Sequence, residues 1–255
     1  MPPKQLLSRR NFLTTVAVGG SSVALAGCDA LSQSPTFREF LDTGESLSYR
    51  LQRLLGSSAL AREYGEAAMS PDFRTNGNTR PDSAAWAAHA DEGFANYRLE
   101  VDGLVEAPQS LSLDELRAMP SRTQITRHDC VEGWSAIGKW TGVRLSALLD
   151  RARLRDNARY IVFRCADSFS GTPYYESIDL NDAYNEQTIL AYGMNDGDLP
   201  TGHGAPLRLR VERQLGYKHA KFVMRVEAVA SMDDIGSGRG GYWEDVINYD
   251  WYAGI

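Results

Sequence analysis

Residues 127–149 read RHDCVEGWSAIGKWTGVRLSALL, and the role of Cys130 within them decides how the rest of the chain is read. The preceding RTQITRH (122–128) alternates as a strand does and delivers Cys130 to the strand's end or to the loop beyond it. GVRLSALLDRA (142–152) predicts a helix that buries Val143, Leu145, Leu148 and Leu149. Arg127 and His128 beside a thiol are expected to lower its pKa towards neutrality and so supply thiolate. A thiolate attacks a carbonyl or a disulfide, or binds a soft metal. His128 shares a face with Cys130 only if the strand runs on through it. The residues alone leave Cys130 four roles: buried structural thiol, half of a disulfide, nucleophile or metal ligand.

The compartment bears on that choice. Lys4, Arg9 and Arg10 form a basic head, and Phe12 to Ala26 is small, largely apolar and uncharged. The run is shorter than the roughly twenty residues a membrane span needs, so it predicts an export signal. SRRNFL (8–13) resembles the twin-arginine signal, a route that exports proteins already folded. LAGC (25–28) resembles a lipoprotein processing box, which would leave Cys28 lipidated at a new N-terminus; Asp29 resembles an inner-membrane retention residue. The expected location is the periplasmic face of the inner membrane, held by a lipid anchor. Of the three cysteines, Cys130 and Cys165 then remain. An oxidising exterior permits a disulfide between them, whereas Cys165, ending the β-forming run RYIVFRC, reads more simply as a small buried hydrophobe.

The formal net charge is −6, and it deepens when Lys4, Arg9 and Arg10 leave with the signal, because residues 1–27 hold no acid. An acidic surface argues against nucleic acid as a partner. Residues 29–48 have the composition of a tether, and Leu47, Leu51, Leu54 and Leu55 at helical spacing predict a helix from about 46 to 64. The expected organisation is a signal (1–27), a tether with an N-terminal helix (28–69) and one domain (70–255). Within the domain, DFRTNGNTRP (72–81) reads as a loop, SAAWAAHADEGF as helix or turn, and YRLEVDGLV (97–105) as a strand. Ser112 and Glu115 form a capping-box signature for a short helix over 113–118. RYIVFRC, PLRLRV (206–211) and KFVMRVEAV (221–229) read as strands, PYYESIDL as extended, and LNDAYNEQTILAYGMN as containing a short helix. The ending GRGGYWEDVINYDWYAGI reads as coil packed by its rings. Strands with unevenly spaced short helices predict an α+β fold.

A second cluster gathers positive charge in this acidic chain: His203, Arg208, Arg210, Arg213, Lys218, His219 and Lys221. It suits a phosphate or another anion. It equally suits a solvated strand face, since Arg208 and Arg210 share one side. No Cys-x-x-Cys is present, and the cysteines and the four histidines offer no familiar zinc spacing.

CVEGWSAIGKWTGVRLSALL (130–149) resembles the active-site segment of the sulfite oxidase superfamily of molybdopterin-binding oxidoreductases. The likeness is to its bacterial twin-arginine-exported branch, which includes the periplasmic protein-methionine-sulfoxide reductase catalytic subunit. LPTGHGAPLRLRVERQLGYKHAKFVMRVE (199–227) resembles the family's second cofactor segment, FRTNGNTRP its early cofactor loop, and GYWEDVINYDWYAGI its ending. The resemblance covers about 70–255 and implies a mixed-sheet, sulfite-oxidase-type domain with short peripheral helices. It implies molybdenum and molybdopterin as cofactors, with Cys130 as the metal's thiolate ligand and catalytic centre. His203, Arg208 and Lys221 match the grip on the pterin and its phosphate, helped by Lys218, His219 and backbone groups near Tyr217 to Ala220. Phe73, Arg74 and Asn76 fall in the early loop, and Ser135 lies just beyond the metal cysteine.

Two departures bear on substrate. Sulfite-oxidising members usually follow the cysteine with a Gly-Asn-Arg-Arg-like stretch, whereas Val131, Glu132, Gly133 and Trp134 follow it here. That removes cation and adds a carboxylate, as in the exported reductases, and implies reduction of a small or protein-bound S- or N-oxide. His203 before Gly-Ala-Pro is instead closer to the sulfite-oxidising members, so sulfite dehydrogenation stays open, as does a non-catalytic anion-binding lipoprotein. No haem-attachment Cys-x-x-Cys-His is present. Electrons are therefore expected to pass through a separate cytochrome or membrane haem protein.

Overall fold

A computed structural model of the chain describes residues 34–56 and 59–255. The export signal, Arg9, Arg10 and Cys28 lie outside the described residues. The chain divides into two compact units, one to Leu54 and one from Leu55 to Ile255. The first contains most of α1 (Pro35–Gly56). This helix begins well before the expected residue 46, with Pro35 at its first position, where a missing N–H costs nothing. It does not reach residue 64. Glu63 instead bridges to Thr126, and the Tyr64 amide donates to the Ile125 carbonyl at 2.9 Å, so this segment is extended.

In chain order the second unit contains α2 (Ala84–Asp91), β1 (Arg98–Gly103), β2 (Gln109–Ser112), α3 (Leu113–Arg117), β3 (Ser121–Asp129) and β4 (Ser135–Arg144). Then come α4 (Leu145–Ala152), β5 (Tyr160–Phe169), β6 (Thr172–Asp179), α5 (Leu180–Ala183), β7 (Ile189–Met194) and β8 (Gly197–Asp198). β9 (Arg208–Arg210), β10 (Val223–Val229) and α6 (Tyr242–Ile247) complete it. One sheet has the order β2-β1-β10-β5-β6; the other runs β3-β4-β7-β8, with β9 also on β7. β1 and β10 are parallel and the remaining pairs antiparallel, giving the expected α+β fold with a mixed sheet and short helices around it.

Alternation sets the hairpin that carries Cys130. β3 and β4 pair from Ser121–Val143 to Asp129–Ser135, so residues 130–134 close it as a turn. The Cys130 amide donates to the Trp134 carbonyl at 2.9 Å, and the Gly133 amide to the Cys130 carbonyl at 3.0 Å. Gly133 sits at φ +86°, which a residue without Cβ adopts most cheaply. The helix expected over 142–152 begins only at Leu145, because β4 continues through Val143 to pair with Leu190 of β7. Leu145, Leu148, Leu149 and Ala152 of α4 are fully buried in the main core. Each leucine contributes about 1.5–3 kcal/mol by leaving water. The capping box forms as read: the Glu115 amide donates to Ser112 Oγ at 3.2 Å and the Ser112 amide to Glu115 Oε2 at 2.8 Å.

Two further segments differ from expectation. LNDAYNEQTILAYGMN holds the short α5 and also β7, an interior strand buried along nearly its whole length. The C-terminal segment is ring-packed, with Phe169 against Tyr242 at 5.2 Å and Tyr217 against Tyr249 at 4.9 Å, but it contains the six-residue α6.

Candidate active site

The 130–134 turn, the 72–81 loop, the segment after β9 and the C-terminal α6 converge on a cavity of about 730 Å³ including its mouth. Asn76, Cys130, Arg208, His219 and Lys221, all singled out from sequence, line it together. Asn78, Glu132, Asp167 and Tyr174 complete its polar walls, while Phe169, Tyr217, Trp243 and Tyr249 add aromatic ones.

Cys130 is 7% exposed and is not bonded to Cys165; both are free thiols. Asn76 directs its Nδ2 at Cys130 Sγ from 3.7 Å. Burial pushes the Cys130 thiol up, and the Glu132 carboxylate adds to this, whereas the Glu132 backbone, Asn76 and Arg208 pull it down. The expected lowering by Arg127 and His128 is therefore not found. Arg127 turns to Asp129, 2.9 Å away, and His128 is buried among other rings. Cys165 lies in β5 against the main core, with burial holding its thiol well above the ordinary range.

Arg208 and Arg210 do share one side of a strand, and that side is buried rather than solvated: they are 1% and 0% exposed. Trp140 supports both, with the guanidinium carbons 5.4 and 4.4 Å from its ring. Arg210 is fully matched, pairing with Glu212 and lying 3.0 Å from His128 Nδ1. Gln124 in turn donates to Glu212 at 2.8 Å. Arg208 has no carboxylate partner among the described residues. Its Nη1 donates to the His203 carbonyl at 3.1 Å and its Nε has no partner. Burial and the neighbouring Arg210 bring Arg208 down to about 9. Lys221 donates to the carbonyls of Asn76 at 2.7 Å, Gly202 at 3.1 Å and Asn78, clasping the early loop to the cavity wall. Burial, aided by Arg208 and opposed by Asp167, lowers its ammonium to about 7.

The other expected residues are placed differently. Phe73 is a buried hub whose ring lies 5.4 Å from Trp140 and 5.5 Å from His203. His203 stands behind the lining, held by burial at about 4, with its Nδ1 unpartnered. Arg74 is exposed and does not line the cavity. Ser135 is likewise exposed and donates to Asp129. Lys218 does not line the cavity; its ammonium pairs with two buried glutamates. Sequence reasoning passed over Asp167, Tyr174, Trp243 and Tyr249. Asp167 is 4% exposed with an unpartnered Oδ1, and an acid interrupting a core strand was its available signal.

No group of three or more His, Cys, Asp or Glu that could hold a metal occurs among the described residues. A metal at Cys130 would therefore need most of its ligands from a cofactor. The walls suit one: a soft thiol shares the lining with an uncompensated guanidinium whose Nε has no partner.

Similarity to known proteins places the chain in a class, the molybdopterin-binding oxidoreductases. The chain belongs to the oxidoreductase molybdopterin-binding domain family, whose profile matches residues 86–234, within the sulfite oxidase superfamily. It is 36% identical over 252 residues to a putative protein-methionine-sulfoxide reductase subunit, YedZ1, of Azospira oryzae, covering 98% of this chain and 89% of that one. It is 37% identical over 149 residues to the protein-methionine-sulfoxide reductase catalytic subunit MsrP of Xanthomonas axonopodis pv. citri, covering 54% of this chain. That match spans 46% of the catalytic subunit, about half its length. Its fold is shared with the sulfane dehydrogenase SoxCD of Paracoccus pantotrophus at a TM-score of 0.52 and 23% identity, over 61% of this chain and 42% of that one.

Proposed function

We propose that the cavity binds molybdopterin, that Cys130 is the protein's ligand to its molybdenum, and that the chain reduces an S- or N-oxide by oxygen-atom transfer. The observation that carries this reading is the meeting, in one cavity, of the Cys130 thiol with Arg208, a buried guanidinium without a carboxylate. An isolated buried cation is costly unless an anion arrives, and the cofactor's phosphate is such an anion. When bound, the molybdenum centre supplies a two-electron couple and an oxygen-accepting site. Arg208 would hold the cofactor's phosphate, supported by His203, whose carbonyl accepts from it, and by Phe73, packed on His203. Cys130 would hold the metal as its thiolate, and Asn76 is placed to donate to that sulfur. Reduction of an oxide takes up two electrons and two protons and releases water, and a separate cytochrome or membrane haem protein is the electron donor in this reading.

Glu132 supports an uncharged substrate, since its carboxylate lies in the cavity wall two residues from Cys130. The names of the relatives above support a sulfoxide. Sulfite oxidation is the second reading, favoured by Arg208 itself, because an unpaired guanidinium also suits an anionic substrate. Among the described residues no helix is long and apolar enough to cross a membrane. Twin-arginine export, with a lipid on Cys28, accounts for how a folded holoprotein would reach the periplasmic membrane face. The test is molybdenum and pterin content per chain after native export, followed by turnover of the holoprotein against sulfite and a panel of S- and N-oxides. Oxide reduction without sulfite oxidation is expected; a protein devoid of metal and pterin would leave only an anion-binding lipoprotein.

A further inference from the structure

The geometry points to a role for Lys218 that does not involve touching the cofactor: with Glu176 and Glu244 it forms a buried clamp that positions the anion-binding segment 216–221. This rests on the anion-binding reading of the cavity. Gly216, Tyr217, His219 and Lys221 line the cavity, yet Lys218 among them does not, and its ammonium is buried against two glutamates instead. Its ammonium is 2.5 Å from Glu244 Oε1 and also pairs with Glu176, and all three side chains are at most 1% exposed. Each carboxylate comes from an element that itself supplies a cavity wall. Glu176 is two residues beyond Tyr174 on β6 and on the same face; Glu244 follows Trp243 on α6.

Further bonds tie the same pieces together. Tyr174 Oη donates to the Tyr217 carbonyl at 2.8 Å, and Tyr217 Oη to the Asp250 carbonyl at 2.7 Å. The clamp thus joins β6, the segment after β9 and the C-terminal tail at one point. A Cβ on Gly241 would collide with both glutamates, so the close approach also needs glycine there. Two acids facing one ammonium leave Glu176 well above the carboxylate range through burial and the neighbouring Glu244 charge. Buried ion clusters seldom add net stability over apolar or neutral replacements, and their best-attested use is to fix registry. Here the registry is that of His219 and Lys221 against the cavity.

The test is the neutral triple variant Lys218→Met/Glu176→Gln/Glu244→Gln in the full chain. It removes the ammonium and both carboxyl groups together, so no member of the cluster is left without its partner. Two readouts on cofactor-free protein are compared with wild type: the thermal midpoint and the affinity for inorganic sulfate as a tetrahedral dianion. Melting within a few degrees of wild type, with sulfate bound at least tenfold more weakly, is the expected result. Equal sulfate affinity overturns the clamp, as does a loss that scales with melting temperature. If the triple variant fails to fold, Glu244→Gln, which alters the clamp at a residue outside the cavity lining, must weaken sulfate binding while leaving the midpoint near wild type, and unchanged binding overturns the proposal. Sulfate binding by a wild type that never carries pterin would sink the molybdopterin reading and leave the clamp standing.

Discussion

Asn76 and Cys130, 54 positions apart in the chain, meet across the cavity with the amide nitrogen 3.7 Å from the sulfur. The contact joins a loop without regular structure to the turn of a hairpin. Lys221 stabilises it from beneath by holding the Asn76 carbonyl at 2.7 Å.

The first prediction follows from that contact. In the cofactor-free protein the amide favours the thiolate, so Asn76→Ala should raise the Cys130 pKa and Asn76→Asp should raise it further by like charge. Alkylation rates of Cys130 across pH, measured in a Cys165→Ser background, report it. A rate at neutral pH that is unchanged or faster in Asn76→Asp would contradict the assignment.

Arg208 separates binding from stability. Arg208→Met removes charge-assisted bonds worth roughly 1.5–3 kcal/mol each to an anion, about tenfold or more in affinity. It also removes a buried charge that has no carboxylate partner among the described residues. Its cofactor-free midpoint is therefore expected within ~4 °C of wild type, while sulfate affinity and pterin occupancy fall. A large loss of stability with retained pterin would make Arg208 structural.

Much of this was legible in the sequence, and what was not has physical causes. The β3 alternation and the Ser112–Glu115 capping box need only local spacing, and both were read correctly. β7 was missed because an interior strand buried on both faces lacks a period-two pattern. Spacing put Arg208 and Arg210 on one face but is silent on whether that face meets water or core. Lys218 sits in a basic run, and only the fold shows that its ammonium pairs with Glu176 and Glu244 instead of lining the cavity. Asp167, Trp243 and Tyr249 reach the cavity from segments far apart in the chain, which no local motif records.

Lys221 gives a pH dependence. In the folded, ligand-free protein it titrates at about 7 instead of its ordinary 10.5. Between those values the unfolded chain binds the extra proton, so this residue adds stability as pH rises from about 7 towards 10.5. An anion favours the charged ammonium. Sulfate affinity should therefore fall as pH rises through about 7, and binding above that pH should take up a proton. Calorimetry in buffers of different ionisation enthalpy measures the uptake. Its absence in wild type, or its persistence in Lys221→Met, would assign the proton elsewhere.

Export is tested on the whole precursor. Replacing Arg9 and Arg10 together with lysine should leave the chain in the cytoplasm, and Cys28→Ala should abolish lipid labelling without unfolding the domain. Normal export of the double-lysine form would remove the twin-arginine route from the account.

The central claim is that Cys130, and not Cys165, completes the metal's sulfur environment. X-ray absorption on the holoprotein and on the two single variants tests it most directly. Cys130→Ser should retain pterin, held by Arg208, and lose one sulfur neighbour of molybdenum, while Cys165→Ser keeps the wild-type sulfur count. An undiminished sulfur count in Cys130→Ser, or the loss of one in Cys165→Ser, would contradict it.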